Sequence, residues 1–492
     1  MNTFPLLSAI IFLPLLGALF ILLLPDRPGL YRRTSLAITL GDLALVVVLL
    51  ISCIKNPSGG WLRVEDHAWI PTLGIRYTLS LDGVSLMLLL LTTFLGVLST
   101  LVSWEQIREK QRSYYFFLLL TITGVLGIFL ATDLFLFYFF WELQIIPMFF
   151  LVGIWGHEDR TRTTMKFIIF TSVGSLFMLI ALIGLYADHG SQTGIYTFAL
   201  SSLMKTTLSP GVQGWLYAAF MLAFAIKIPV IPLHTWLPDT HTQAPTAGSV
   251  ILAGLLLKTG VYGVFRFAMP LFPLAFQKSV PVLIVLGLAG LFYASWIALS
   301  QTDIKRLIAY SSIGHMGLVL LGLAVFNAIT LSGSLLQVIN HGISTSALFI
   351  LVGMLDERIH TREFKDFGGL WRQMPVFSAF FLFFSMAALG LPGLNNFVGE
   401  ILILIGTYRV HPVFAAIGFA GLLFGVIYVL RMVQDALFGE LKGDAVLLYD
   451  VKSREVIILG ALALCVIFLG LHPQPVLHLF EGPAKLLMKS VL

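Results

Sequence analysis

Six ionisable residues sit inside long apolar runs of this chain: Glu142, Lys227, Lys258, His315, His341 and Glu400. A charge at the centre of a bilayer costs roughly 3 kcal/mol or more, so such residues mark ion or proton paths by default. Two carboxylates, two amines and two imidazoles are the equipment for passing protons. An ion pair of Glu142 with Lys227 would make the lysine's proton affinity depend on whether the pair is open or closed. Burial makes an ammonium costly, which lets Lys227 and Lys258 take and release protons at working pH. His315 and His341 stand on either side of a turn at Asn327, and so share a depth on antiparallel neighbours. Ser311 and Ser312 lie one turn before His315, while Gln337, Ser344 and Thr345 share a helical face with His341. Such stripes suit a water chain. Glu400 follows a helix break, with Asn395 and Asn396 just before it.

Each residue has a blander reading. Glu142 and Glu400 could be structural carboxylates, the lysines could snorkel, and the histidines could be satisfied core residues. Haem ligated by His315 and His341 would use their matched depth, but would leave the lysines and glutamates unexplained. Asp133, Asp239, Asp303 and Lys305 lie near span ends and read as interfacial anchors. His234, His241 and Asp239 could line an inlet. Taken together, the six form a row along the membrane plane rather than a stack across it, which points to coupling between sites.

The stretch 224–258, FAIKIPVIPLHTWLPDTHTQAPTAGSVILAGLLLK, is the element that must position them. Pro229 and Pro232 each remove a backbone donor, so the first helix cannot run through unbroken. Inside a bilayer such a break is tolerated only against protein or a water-filled cavity. Lys227 and Lys258 lie fifteen and sixteen residues either side of Thr242. At about 1.5 Å per residue this places both near mid-membrane.

The chain has 492 residues, 58% of them hydrophobic and only 11% charged, against about 25% charged in a soluble domain. It is a polytopic membrane protein. Its two cysteines, Cys53 and Cys465, are too few for an iron–sulfur cluster. Neither GxGxxG nor GxxxxGK[ST] occurs in a nucleotide-binding context. The N-terminal apolar run lacks a basic n-region and reads as a retained span.

Apolar runs predict an all-α fold with fourteen transmembrane helices at about 5–25, 33–54, 79–103, 113–131, 133–155, 163–187, 213–237 (broken), 243–268, 280–300, 304–326, 329–354, 375–408 (broken), 413–438 and 455–471. No stretch reads as a soluble domain. Alternate loops carry nineteen and nine Lys and Arg residues, with Lys442 among the nineteen. The positive-inside rule then puts both termini outside the cytoplasm. The broken seventh and twelfth helices fall in corresponding places of two five-helix blocks, 113–268 and 280–438, of opposite orientation. These are flanked by a three-helix segment, 1–112, and a C-terminal helix within 439–492. Paired interrupted helices in two inverted halves point to an ion site near the midplane.

FFWELQIIPMFFLVGIWG, KIPVIPLHTWLPDTHTQAPTAGSVILAGLLLKTGVYG and SSIGHMG together resemble the antiporter-like subunits of respiratory complex I. LPGLNNFVGE, with glutamate where related subunits tend to have lysine, resembles the chain M (chain 4) family in particular, as does an end just after span fourteen. The resemblance implies two inverted five-helix repeats that pump protons while other subunits oxidise NADH and reduce quinone. It implies Glu142 and Lys227 as the coupled pair, Lys258 as central carrier, His315 and His341 as relays, and Glu400 as the exit-side group. NADH, FMN, iron–sulfur clusters and quinone are then expected in partner subunits, with no cofactor or metal bound by this chain and no nucleic acid. Chain L-like and chain N-like neighbours and lipid are the implied partners, in a bacterial inner membrane or, alternatively, a thylakoid membrane with plastoquinone. A sodium/proton antiporter subunit of the multi-component type is the rival that shares the fold.

Overall fold

A computed structural model describes residues 5–55, 60–440 and 448–491; Lys442 lies outside them. Helices α1 (Leu6–Leu23) and α2 (Pro28–Lys55) precede a hairpin of β1 (Arg63–Ile70) and β2 (Ile75–Leu81). Then come α3 (Gly83–Gln106), α4 (Gln111–Leu130), α5 (Leu134–Trp155) and α6 (Arg160–Thr193). The first interrupted helix consists of α7 (Pro210–Lys227) and α8 (Trp236–Gln243). After it run α9 (Thr246–Leu271), α10 (Pro273–Leu299), α11 (Ile304–Val325) and α12 (Ala328–Ile359). The second interrupted helix is α13 (Pro375–Ala388) with α14 (Asn395–Val410). It is followed by α15 (Pro412–Leu437), α16 (Ser453–Leu471) and α17 (Gln474–Val491).

Among the described residues, twelve helices are long and apolar enough to cross a membrane. The expected count of fourteen included the two broken runs 213–237 and 375–408, which are not among these twelve. Two elements escape the sequence reading. The chain is not all-α: the connection 55–78 folds partly into the antiparallel hairpin, register Arg63 to Leu81. Beyond α16, a further helix, α17, buries Val476, Phe480, Ala484 and Leu487 on one face. With Glu481, Lys485 and Lys489 exposed on the other face, it fits an interface rather than a crossing.

The packing is inside-out with respect to a soluble protein. In their most apolar windows α9 and α12 are 100% buried with mean hydropathy 1.6 and 1.7, whereas α2 and α15 are 28% buried with 2.5. The most apolar helices face outward. The less apolar ones carry the row.

Backbone hydrogen bonds repeat between the two halves. Leu134 N–H donates to Phe198 O and Leu200 N–H to Thr132 O; likewise Ile304 N–H donates to Arg362 O and Phe364 N–H to Thr302 O. Asp133 and Asp303 cap the helices that follow, each accepting two backbone N–H groups. At the interruptions Ile228 N–H reaches Phe224 O and Val230 N–H reaches Ala225 O. Leu389 and Leu391 reach Ser385 and Met386 with the same spacing.

Candidate functional site

Lys258 sits on α9 between two π-helical segments, Leu252–Leu256 and Val264–Ala268. A π turn frees backbone groups and is frequent at functional positions. The freed carbonyl of Ala253 accepts from Lys258 Nζ at 2.6 Å, and His341 Nδ1 lies 2.7 Å from the same nitrogen. Both residues are fully buried.

From His341 the contacts continue. Its ring meets the His315 ring edge-on, with centroids 5.5 Å apart. His315 Nδ1 lies 3.3 Å from Glu400 Oε1, without hydrogen-bond alignment. Glu400 Oε1 also accepts from Gln337 Nε2 at 3.2 Å, one helical turn before His341. The second interruption makes room for this carboxylate. Gly390 has φ +80, a conformation favouring glycine, and any side chain there would run into Glu400. Asn340 and Asn395 exchange side-chain to backbone hydrogen bonds at 2.7 and 3.0 Å, and Asn396 donates to Ser344 Oγ at 3.0 Å. The face of α12 thus clamps the start of α14. A small cavity beyond is lined by His315, Glu400, Ser295, Gly425 and Tyr428.

The other pair is arranged differently. Lys227 ends α7, is 1% exposed, and its Nζ has no hydrogen-bond partner. It faces the rings of Trp141 and Phe167 at 5.5 and 5.6 Å, a cation–π enclosure. Glu142, adjoining Trp141 on α5, is only half-buried, and its Oε1 is unpartnered. The expected ion pair is absent: Glu142 and Lys227 do not approach within the 4.0 Å of a salt bridge. The aromatic box surrounds the lysine nitrogen instead. Lys227 and Lys258 do share a level, because a Cβ on Gly260 would come within 2.9 Å of Lys227 Cβ.

The remaining sequence candidates scatter. His241 is buried, stacked on Phe349 at 4.6 Å, with both ring nitrogens unpartnered. His234 stands edge-on to Tyr293. Asp239 bridges Lys166 at 2.7 Å and Arg306 at 3.1 Å. Lys305 is not the interfacial anchor its place near a span end suggested. It is buried, and Nζ donates to Ala244 O at 2.6 Å, the carbonyl before Pro245. Haem does not fit: the two histidine rings are in contact, which leaves no space for a porphyrin between them. Among the described residues no group of three His, Cys, Asp or Glu side chains could hold a metal ion.

Two buried charged features were overlooked in the sequence. Arg266 and Asp82 form an ion pair joining α9 to the start of α3, with Arg266 Nε also on Tyr262 Oη at 3.2 Å. Asp42 is buried midway along α2. Its signal was available, as the lone acid in the apolar run 33–54.

Residues 131–425 match the family described as NADH:quinone oxidoreductase/Mrp antiporter, TM. The chain is 48% identical over 425 residues to the NADH-quinone oxidoreductase subunit M of Pseudomonas aeruginosa, covering 85% of this chain and 83% of that protein. To the subunit M of Escherichia coli K12 it is 46% identical over 424 residues, with the coverage 85% and 83%. A chain of respiratory complex I from Thermus thermophilus with bound NADH superposes with a TM-score of 0.90 at 31% identity, over 99% of this chain and 100% of that one.

Proposed function

The chain belongs to the membrane-subunit family of NADH:quinone oxidoreductases and Mrp antiporters, and from that premise we propose that it is a proton-translocating membrane-arm subunit of an NADH–quinone oxidoreductase. The observation that carries this reading is the continuous contact chain from Lys258 through His341 and His315 to Glu400. The relatives' names favour the oxidoreductase over the sodium/proton antiporter. Electrons travel in other subunits, which hold FMN, iron–sulfur clusters and quinone. Neighbouring membrane-arm subunits of the chain L and chain N kind, with lipid, complete the surroundings.

Counting each interrupted helix once supports fourteen crossings, and the charge bias supports both termini outside the cytoplasm of a bacterial inner membrane. The matched backbone bonds at Leu134 and Ile304, and at Ile228 and Leu389, support two inverted five-helix repeats over 113–268 and 280–438. The segment 1–112 and the C-terminal part 439–492 flank them.

The mechanism divides between the halves. Lys227 rests in its aromatic box, apart from Glu142. If Glu142 closes to about 4 Å, the attraction at an effective dielectric of 20 is roughly 4 kcal/mol, and it halves to about 2 kcal/mol at 8 Å. That difference of about 2 kcal/mol changes the lysine's proton occupancy roughly thirty-fold. Closure thus loads Lys227 and opening unloads it. The change in charge acts on Lys258 at the same level. Lys258 then passes a proton to His341 Nδ1, His341 releases one from Nε2 towards the adjoining His315 ring, and His315 hands one to Glu400, the exit-side group.

The test is substitution in sealed vesicles. Glu142→Ala or Lys227→Ala is expected to abolish proton pumping driven by NADH oxidation while the complex still assembles. Normal proton uptake with either change defeats the reading.

A further inference from the structure

Asp42 lies on α2, a helix that carries no member of the row. The buried face of α2 reads Tyr31, Ser35, Thr39, Asp42, Val46, Leu49 and Cys53. Up to Asp42 every residue of that face carries a hydroxyl or carboxyl group; beyond it every residue is apolar. The stripe is polar towards one end of the helix only.

Groups facing the polar half are left open. Ser35 Oγ, Asp42 Oδ1 and Ser99 Oγ on α3 are buried without a hydrogen-bond partner, while Tyr115 on α4 lies beside Arg32. Thr39 fixes the register: a Cβ on Gly96 of α3 would stand 3.9 Å from its Cγ2. Since α2 and α3 are antiparallel, Ser35 and Ser99 then fall at one level, below Asp42. The open Ser35 and Ser99 hydroxyls at one level, Asp42 Oδ1 above them, and Thr39 Oγ1 between, which donates to Ser35 O at 3.0 Å and keeps its acceptor lone pairs, offer the two to four polar partners that each water of a file requires. At its open end the stripe meets Tyr31, which accepts from Arg112 Nε at 3.0 Å, and Arg32, whose Nε is free of partners. This is the basic end of the molecule.

We propose that Asp42 is a proton-binding site, reached from the cytoplasm along the Ser35–Thr39 face of α2 and closed towards the other side by Val46 and Leu49. A buried carboxyl with no cation beside it is neutral when it holds a proton, which removes the desolvation penalty of the anion. The inference rests on the proposed function only for which face is cytoplasmic. It assigns the N-terminal three helices a proton-loading group outside the row, and it stands or falls separately from pumping.

Two measurements on the assembled complex test it. Dicyclohexylcarbodiimide, which adds to protonated carboxyls in apolar surroundings, is expected to label the peptide containing Asp42, and the label should vanish in Asp42→Asn. In a Cys53→Ser/Cys465→Ser background, Asp42→Cys should react with silver ion at least about ten times faster from the cytoplasmic face of sealed vesicles than from the other. Absence of carbodiimide label in an intact complex overturns the proton-binding assignment. A thiol equally reactive from both faces, more reactive from the outer face, or reactive from neither overturns the one-sided path. Normal outcomes here with unaltered pumping in Lys227→Ala would leave Asp42 standing and the pump reading lost.

Discussion

The regions 113–268 and 280–438 share backbone hydrogen-bond patterns and use them differently. Around Leu134 and Ile304, and at the breaks after Lys227 and Ala388, the hydrogen-bond patterns match residue for residue. Yet the first half leaves its pair open, with Lys227 boxed by Trp141 and Phe167 and no ion pair to Glu142. The second half joins its groups, with Glu400 touching Gln337 and His315. Under the proposed mechanism the first responds to distance and the second transmits by contact. An interrupted helix is thus a frame, and the side chains around it decide whether it acts as a gate or a wire.

Shortening each carboxylate by one methylene separates these roles most sharply. Glu400→Asp withdraws the carboxyl from Gln337 and His315 and should cut pumping by about tenfold or more, since misplacement of about 1 Å can cost that much. Glu142→Asp, acting through space, should cost less than about threefold. Proton-to-electron ratios in vesicles measure both, and equal losses erase the distinction. Next in size is Gly390→Ala, which puts a side chain where the Glu400 carboxyl lies and strains a left-handed backbone by about 1–2 kcal/mol. It should lower pumping about fivefold and leave electron transfer intact. Gln337→Leu removes one neutral donor from the carboxylate, worth about 1 kcal/mol. A loss of about three- to fivefold is expected, and no loss would mean that Glu400 needs no such support.

The smallest effect is a control outside the membrane. His157, in the loop between α5 and α6, has its pKa lowered to about 4 by burial first, then by Lys305 and Arg362, against a weaker pull from Asp356. A folded value below the unfolded one means that the unfolded chain binds the proton more readily. The stabilisation is therefore present above about pH 6.5 and is lost as pH falls towards 4. His157→Gln should flatten the acid side of the thermal stability curve over that window and leave pumping at pH 7 unchanged. An unaltered curve would contradict the assignment.

Much of this was legible in the sequence because lipid enforces a simple grammar. Long apolar runs located the twelve uninterrupted helices, with ends displaced by up to seven residues where 280–300 met Pro273–Leu299, and Pro229 with Pro232, and Leu391-Pro392-Gly393, located the breaks. The row itself was legible since each member stands out against hydrocarbon. What failed was contact geometry. An ion pair of Glu142 with Lys227 looked natural from charge alone, but Trp141 and Phe167 occupy the lysine's surroundings, and no periodicity announces an aromatic box. Lys305 looked interfacial because position along a helix does not reveal which carbonyl a side chain meets. The hairpin was missed because β1 is exposed along most of its length and shows no apolar alternation, and α17 because its apolar residues alternate with Lys485 and Lys489 instead of forming a run.

One experiment bears on the whole row at its junction. Lys258 is the point where charge from the first half must pass into the contacts of the second, and in Lys258→Ala no amine remains beside His341. Protons translocated per NADH oxidised by the assembled complex in sealed vesicles should fall below wild type while NADH oxidation continues. A wild-type ratio would contradict the relay.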